Sequence, residues 1–230
     1  YTDVDGVYAT DPRILSHAKR LEYVSYEEMM EMSALGAGVL ETRSVELAKN
    51  YEIPLYLGRT LSNVKGTWIM SRSDLLEKKA VTGVALDTHM MHVTISYPLP
   101  DNRLLTQLFT ELEEGSVNVD MISQIVNLEG LQLSFSIKDS DVNQISSILE
   151  NLSTHFEALD YKINEEYVKI SLIGSGMRDM SGVASKAFIT LINSEIPFYQ
   201  TTTSEISISY VIDAENGQKA VEELYNAFDI

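Results

Sequence analysis

His92-Val93-Thr94-Ile95-Ser96 and Tyr167-Val168-Lys169-Ile170-Ser171 stand 75 residues apart, and each alternates apolar with polar side chains as a half-buried strand does. Each runs through a loop into an apolar stripe at helical spacing. After the first come Leu104, Leu105, Leu108, Phe109 and Leu112, ending near Gly115; after the second come Val183, Ala187, Phe188, Leu191 and Ile192. Two strands are then predicted in each copy, over 117–126 and 131–138, and over 196–203 and 205–212. A second helix follows, carrying Val142, Ile145, Ile148, Leu149 and Leu152 in one copy and Ala220, Val221, Leu224, Tyr225 and Phe228 in the other. Each copy therefore reads β-α-β-β-α, a degenerate internal repeat of a split βαβ pattern.

Working outward, a ferredoxin-like sheet needs a fourth strand. The first copy has Ala158-Leu159-Asp160-Tyr161-Lys162-Ile163, but the second stops at Ile230 directly after its second helix. An uncovered sheet edge is a liability. The spare strand is Val81-Thr82-Gly83-Val84-Ala85-Leu86, upstream of the first copy. The expectation is that it completes the second sheet. One domain then spans 87–163, inserted within another made of 81–86 plus 164–230.

Residues 1–72 read as a separate unit. Asp3-Val4-Asp5-Gly6-Val7-Tyr8 forms a tight polar loop closed by Asp11-Pro12-Arg13, and Ser25-Tyr26-Glu27-Glu28 is a capping box. A helix with Met29, Met30 and Met32 in its core should follow to Leu35, broken by Gly36 and Gly38. A second helix is predicted over Thr42–Asn50, then strands at Ile53–Leu57 and Thr67–Met70. These elements are too few to close a core alone. They look like the tail of a larger α/β domain, joined to the repeat by a polar linker at 73–80. The chain opens at Tyr1, without Met, in mid-motif, as the later part of a longer protein would.

Acidic side chains outnumber basic ones 34 to 17, a formal charge of −17. Phosphate backbones and anionic lipid surfaces call for a basic face, so neither nucleic acid nor membrane is expected as a partner. No apolar run reaches the roughly 18–20 residues of a membrane span. The chain has no cysteine, which removes disulfides, thiolate metal sites and cysteine nucleophiles and fits a reducing cytoplasm. His17, His89, His92 and His155 lack the spacing of a metal site, so no metal ligand is assigned.

Several stretches together resemble one family. TDVDGVYATDPR, LGAGVLETRSVELAKNYEIPLYL and GTWI resemble the end of the amino-acid-kinase domain of aspartate kinases. VTGVAL, VNVDMISQI, GSGM and TTSEISISYVID resemble the paired ACT regulatory domains that follow it in that family. The fold this implies is α/β: the tail of a kinase domain at 1–72, then two ferredoxin-like βαββαβ ACT domains. The family's lysine-and-glycine strand and its aspartate-binding motifs would precede Tyr1, so no catalytic residue is assigned and the stretch alone is expected to be inactive.

The resemblance assigns Thr2, Asp3, Gly6, Tyr8 and Arg13 to nucleotide binding. The chemistry agrees: a glycine turn lets backbone approach a ligand, Tyr8 offers a flat face, and Arg13 can pair with phosphate. The plain alternative is an acidic surface loop with an Asp-Pro turn. Many members carry a lysine where Gly38 stands. Effector contacts are implied at Asp101, Asn102, Asn118, Ile122 and Gln124 in the first ACT domain and at Met177 and Arg178 in the second. ACT loops commonly read D-x-P-G where this chain has Asp101-Asn102-Arg103-Leu104, and the plain alternative for Asp101 is a helix N-cap. In the second domain Pro197-Phe198 replaces the usual Asn-Ile. Gly174-Ser175-Gly176 invites comparison with a dinucleotide loop, but the third glycine of that motif would fall on Asp179, so a strand-to-helix turn is expected.

The family's activity is transfer of the ATP γ-phosphoryl to the β-carboxylate of L-aspartate with Mg²⁺, under feedback by lysine, threonine or both. It implies a homodimer paired through ACT domains and an N-terminal kinase portion as the missing partner. A non-catalytic ACT regulatory subunit is the second hypothesis, against which residues 1–72 stand; a dinucleotide-dependent oxidoreductase is the third and weakest.

Overall fold

The computed structural model describes residues 4–71 and 79–230, so Thr2, Asp3 and most of the expected linker lie outside the described residues. In chain order the strands and helices are β1 (Tyr23–Ser25), α1 (Tyr26–Met32), α2 (Thr42–Asn50), β2 (Leu55–Leu57), β3 (Thr67–Met70), β4 (Gly83–Asp87), β5 (Met90–Tyr97), α3 (Asn102–Glu114), β6 (Asp120–Asn127), β7 (Gly130–Lys138), α4 (Val142–His155), β8 (Asp160–Asn164), β9 (Tyr167–Ile173), α5 (Val183–Asn193), β10 (Phe198–Thr203), β11 (Ser207–Asp213) and α6 (Gly217–Phe228). The mixed α/β class expected from the repeat is the class observed.

Three strands start later than their apolar runs, for one shared reason. The residues ahead of them are used to finish a helix. Ile53 N–H donates to Ala48 O, Val117 N–H to Leu112 O and Ile196 N–H to Leu191 O. Glu52, Ser116 and Glu195 just before them take positive φ near 54°, the left-handed turn that closes a helix C-terminus. The apolar side chain past the cap is buried at Val117 and Ile196, so hydropathy alone extends the strand by a few residues.

Two compact units emerge. One is Thr88–Val168, a four-stranded sheet in the order β6-β7-β5-β8. All its pairings are antiparallel, with Val93 opposite Phe135 and Ile95 opposite Leu133. Those four side chains pack with Leu104 and Leu108 of α3 and Ile145 and Leu149 of α4 into one core. Thr94 and Ser96, the intervening residues of β5, face solvent. Strand period and helix period thus meet on a single face.

The other unit is Tyr1–Asp87 with Lys169–Ile230. Its four-stranded sheet runs β10-β11-β9-β4, where β4 pairs antiparallel with β9, Val84 opposite Leu172. A three-stranded sheet, β1-β3-β2, lies in the same unit. Its inner residues Val24 and Ile69 are opposite each other and fully buried. Its outer residues Tyr23, Trp68 and Tyr56 form an exposed aromatic row, with Tyr56 and Trp68 ring centroids 4.9 Å apart. Residues 4–71 do not close a core by themselves. Val24, Met29, Val45 and Ile69 pack together with Ala85 of β4 and Ile173 of β9. Among the described residues no helix is long and apolar enough to cross a membrane.

Candidate functional site

The loop 4–21 is held on β4 of the four-stranded sheet, on β3 of the three-stranded sheet and on α6 by three long-range hydrogen bonds. Ala9 O accepts from Val84 N–H at 2.7 Å, Val7 N–H donates to Thr67 Oγ1 at 2.9 Å, and Lys19 N–H donates to the Tyr225 hydroxyl at 2.9 Å. Gly6 is required where the loop meets β3. At φ 156° it is buried, and a Cβ there would lie 2.6 Å from Thr67 Oγ1.

This loop forms one wall of a cavity of about 560 Å³. Gly6, Tyr8 and Arg13 all line it. Much of the remaining lining is apolar: Met32, Val39, Val84 and Ile173 among others. Gly36 and Gly38, from the π-helical turn Ser33–Ala37 and its cap, complete the rim. Two arginines reach the cavity, each beside a carboxylate. Arg13 makes a bidentate pair with Asp11, Nη2 to Oδ2 at 2.6 Å, and Arg59 Nε lies 3.2 Å from Asp5 Oδ1. The Arg13 side chain is 89% exposed, so its pair with Asp11 contributes little stability and an incoming anion can compete for it. Hydrogen bonding to Arg13 holds the Asp11 carboxyl below the usual carboxylate range. An apolar slot with a flat ring on one wall and exposed guanidinium at the rim suits a ligand that is part planar and part anionic.

The implied effector residues fall into two groups. In the unit Thr88–Val168, Asp101 is the N-cap of α3: its Oδ1 accepts from Arg103 N–H at 2.9 Å, and both oxygens take the Arg103 guanidinium. That bond keeps the Asp101 carboxyl below its usual range. The plain role, a helix cap, is therefore occupied in this structure, and Asn102 opens the helix beside it. Asn118 is exposed ahead of β6, and Ile122 and Gln124 are exposed on β6, an edge strand. A bulge interrupts β6 between Asp120 and Ser123, with Met121 at φ 51°, and re-aims the strand at Ile122. Met177 and Arg178 belong to the other unit, in a 3-10 turn over Ser175–Arg178. Arg178 pairs with Glu205 at 2.7 Å. Gly176 fits there because its Cα faces the Lys79 carbonyl, leaving no room for a Cβ. The glycines of this turn serve backbone packing.

Residues 1–59 match the amino acid kinase family and residues 170–228 match the ACT domain family. Aspartokinase 2 of Bacillus subtilis (strain 168) is 37% identical over 230 residues, which is 100% of this chain and 56% of that protein. Over its whole length the chain is similar to aspartate kinases. It spans about half the length of the curated relatives it matches. The fold agrees: a crystal structure of Clostridium acetobutylicum aspartate kinase superposes with a TM-score of 0.88 at 24% identity, over 99% of this chain and 53% of that one. The regulatory subunit of aspartate kinase from Thermus thermophilus matches 65% of this chain and 99% of its own, with a TM-score of 0.61 and 27% identity.

Residues of the segment matched by the amino acid kinase family and of the segment matched by the ACT domain family line one cavity. The cavity's apolar lining was not legible in the sequence. Val84 and Ile173 read only as strand residues, and Arg59 lies 46 positions beyond Arg13 in a stretch without a motif. Glu28 was legible only as half of a capping box. The structure gives it further partners in Thr82 and Ser175.

Proposed function

We propose that this chain is the regulatory half of an aspartate kinase together with part of its nucleotide site. The full activity is transfer of the ATP γ-phosphoryl to the β-carboxylate of L-aspartate, giving 4-phospho-L-aspartate. The observation that carries this reading is the cavity of about 560 Å³ whose polar wall is the loop Val4–Arg13 and whose apolar wall includes β4 and β9. In it the base would lie against Tyr8 and the apolar wall, and Arg13 would take phosphate oxygens. Mg²⁺ would arrive on the nucleotide's phosphates. Among the described residues no three His, Asp or Glu side chains converge to hold a metal ion. The relatives' activity belongs to chains nearly twice as long, so binding without turnover is expected of this stretch.

Calorimetric titration with ATP and Mg²⁺ tests the nucleotide site. Arg13→Ala should weaken binding about 10- to 100-fold, the loss of one charge-assisted contact to phosphate. Full affinity in that variant would remove Arg13 from the site, and absence of ATP binding by the unaltered chain would remove the site itself.

The ACT domains are proposed to hold lysine, threonine or both. Gln124 is the cleaner probe of the first effector site, because removing Asp101 also removes a helix cap, at a cost of about 0.5–2 kcal/mol. Gln124→Ala should reduce amino-acid affinity about tenfold, one lost polar contact, without changing the melting temperature. Unchanged affinity in both Gln124→Ala and Asp101→Ala would refute those assignments. We also propose a homodimer through the ACT domains. Edge strand β6 presents Ile122, Ile125 and Val126 to solvent, and pairing would cover them. The solution mass tests it.

The match to a regulatory subunit, over 99% of that subunit but 65% of this chain, supports a second reading, an amino-acid-binding subunit without nucleotide. It leaves the cavity at the kinase-type loop without a use. Titration with ATP separates the two.

A further inference from the structure

Glu28 is 3% exposed, yet its carboxylate has four hydrogen-bond donors. Oε2 accepts from Ser25 N–H at 3.0 Å and Ser25 Oγ–H at 2.7 Å. The Ser25 N–H bond, with Glu28 N–H donating to Ser25 Oγ at 3.2 Å, makes the capping box at the start of α1 and would suffice for it. Oε1 is turned the other way. It accepts from the Thr82 hydroxyl at 2.6 Å and from Ser175 N–H at 2.8 Å, residues 54 and 147 positions away. A buried carboxylate without donors is strongly unfavourable, so the three segments are held together or the charge is stranded.

The partners have a common geography. Ser175 opens the turn that contains Met177 and Arg178, and it is itself buried. The backbone of 79–81 presses on the same turn from the side of Gly174 and Gly176. On the other side, α1 runs from Glu28 to Met32, whose side chain lies against Gly83 and lines the cavity, and continues to Gly36 on the rim. Glu31, one turn beyond Glu28, accepts from Ser207 Oγ–H at 2.5 Å, so α1 is tied to β11 as well.

We propose that Glu28 is a positioning residue that clamps the turn Gly174–Arg178 to α1, so that this turn and the cavity wall carried by α1 shift as one body. The role in regulation rests on the nucleotide and effector sites proposed above. A ligand held by Met177 or Arg178 would displace Ser175 N–H from Glu28 and alter the wall at Met32 and Gly36; a ligand filling the cavity would act on the turn in return. The clamp itself needs neither ligand and can be tested without them.

The test is amide hydrogen exchange on the whole chain, comparing the unaltered protein with Glu28→Gln and Thr82→Val. Gln keeps the shape but sets an NH₂ group against donors. Val keeps the shape of Thr82 and removes one donor to Oε1. Glu28→Gln should speed exchange about tenfold in 174–178 and also in the cavity wall at 32–39, with α6 and β11 still protected. Thr82→Val should give a smaller change at the same places, and it decides the matter if Glu28→Gln does not fold. Faster exchange at Ser175 alone, or an even loss of protection through the unit, would overturn the proposal in favour of a local or merely structural role. ATP titration of the same samples is read separately. If the unaltered chain binds no ATP the nucleotide reading fails, while the exchange pattern still decides the clamp.

Discussion

Glu28→Ala should lower the unfolding free energy by about 2–4 kcal/mol, because it strands the buried Ser175 and Ser25 N–H groups and the Thr82 hydroxyl together. Urea unfolding at neutral pH measures it as a lower midpoint at unchanged slope. The effect should also depend on pH in one direction. Burial alone would push the Glu28 carboxyl up, but hydrogen bonds from Ser175, Thr82 and Ser25 outweigh it and hold the group below the usual glutamate range. A carboxyl lowered in the fold contributes fully above its unfolded value, and that contribution is lost as pH falls through the lowered one. The neighbouring charges keep the same sign of argument: Glu27 is paired with Lys49, and Arg178 with Glu205. The gap between Glu28→Ala and the unaltered chain should therefore be widest at neutral pH and narrow on acidification. A gap constant down to pH values of about 3 would mean the carboxylate form carries no special stabilisation.

Phe135→Ala should cost about 3–5 kcal/mol in the unit Thr88–Val168. The ring is fully buried in the middle of β7, opposite Val93, in a core shared with Leu104, Leu108, Ile145 and Leu149. Its removal leaves a cavity under both helices that a four-stranded sheet has little freedom to collapse into. Phe135→Leu, which keeps most of the volume, should cost less than about 1.5 kcal/mol. Thermal unfolding of the three proteins in parallel checks both numbers. Equal losses for Ala and Leu would indicate that ring shape, not cavity volume, sets the stability of this core.

These two side chains also mark how far the sequence could be read. Phe135 belongs to a strand whose alternation, Leu131, Leu133, Phe135 and Ile137, is local and survives in the fold as one buried face. The stripes of α3 and α4 are local in the same sense. So is the capping box, where Ser25 and Glu28 are three residues apart and find each other within one turn. The mixed α/β class and the family resemblance both follow from such short-range patterns, and so does the short list of residues in the loop Val4–Arg13. Strand starts were less legible, because Ile53, Val117 and Ile196 are as apolar as strand residues but spend their N–H groups on helix ends.

The sequence by itself determined which segments are strands and helices and which face of each is apolar, because those properties act over one or two turns of chain. Only the tertiary structure decided that Val84 and Ile173 line one cavity with Tyr8, that residues 4–71 complete their core on β4 and β9, and that Asp101 already holds its own Arg103. It alone decided that the second oxygen of Glu28 meets Ser175, 147 residues away. The reason is physical. A buried carboxylate must find every donor it can, and which donors come within reach is set by how the sheets and helices pack, not by anything within a turn of the residue itself.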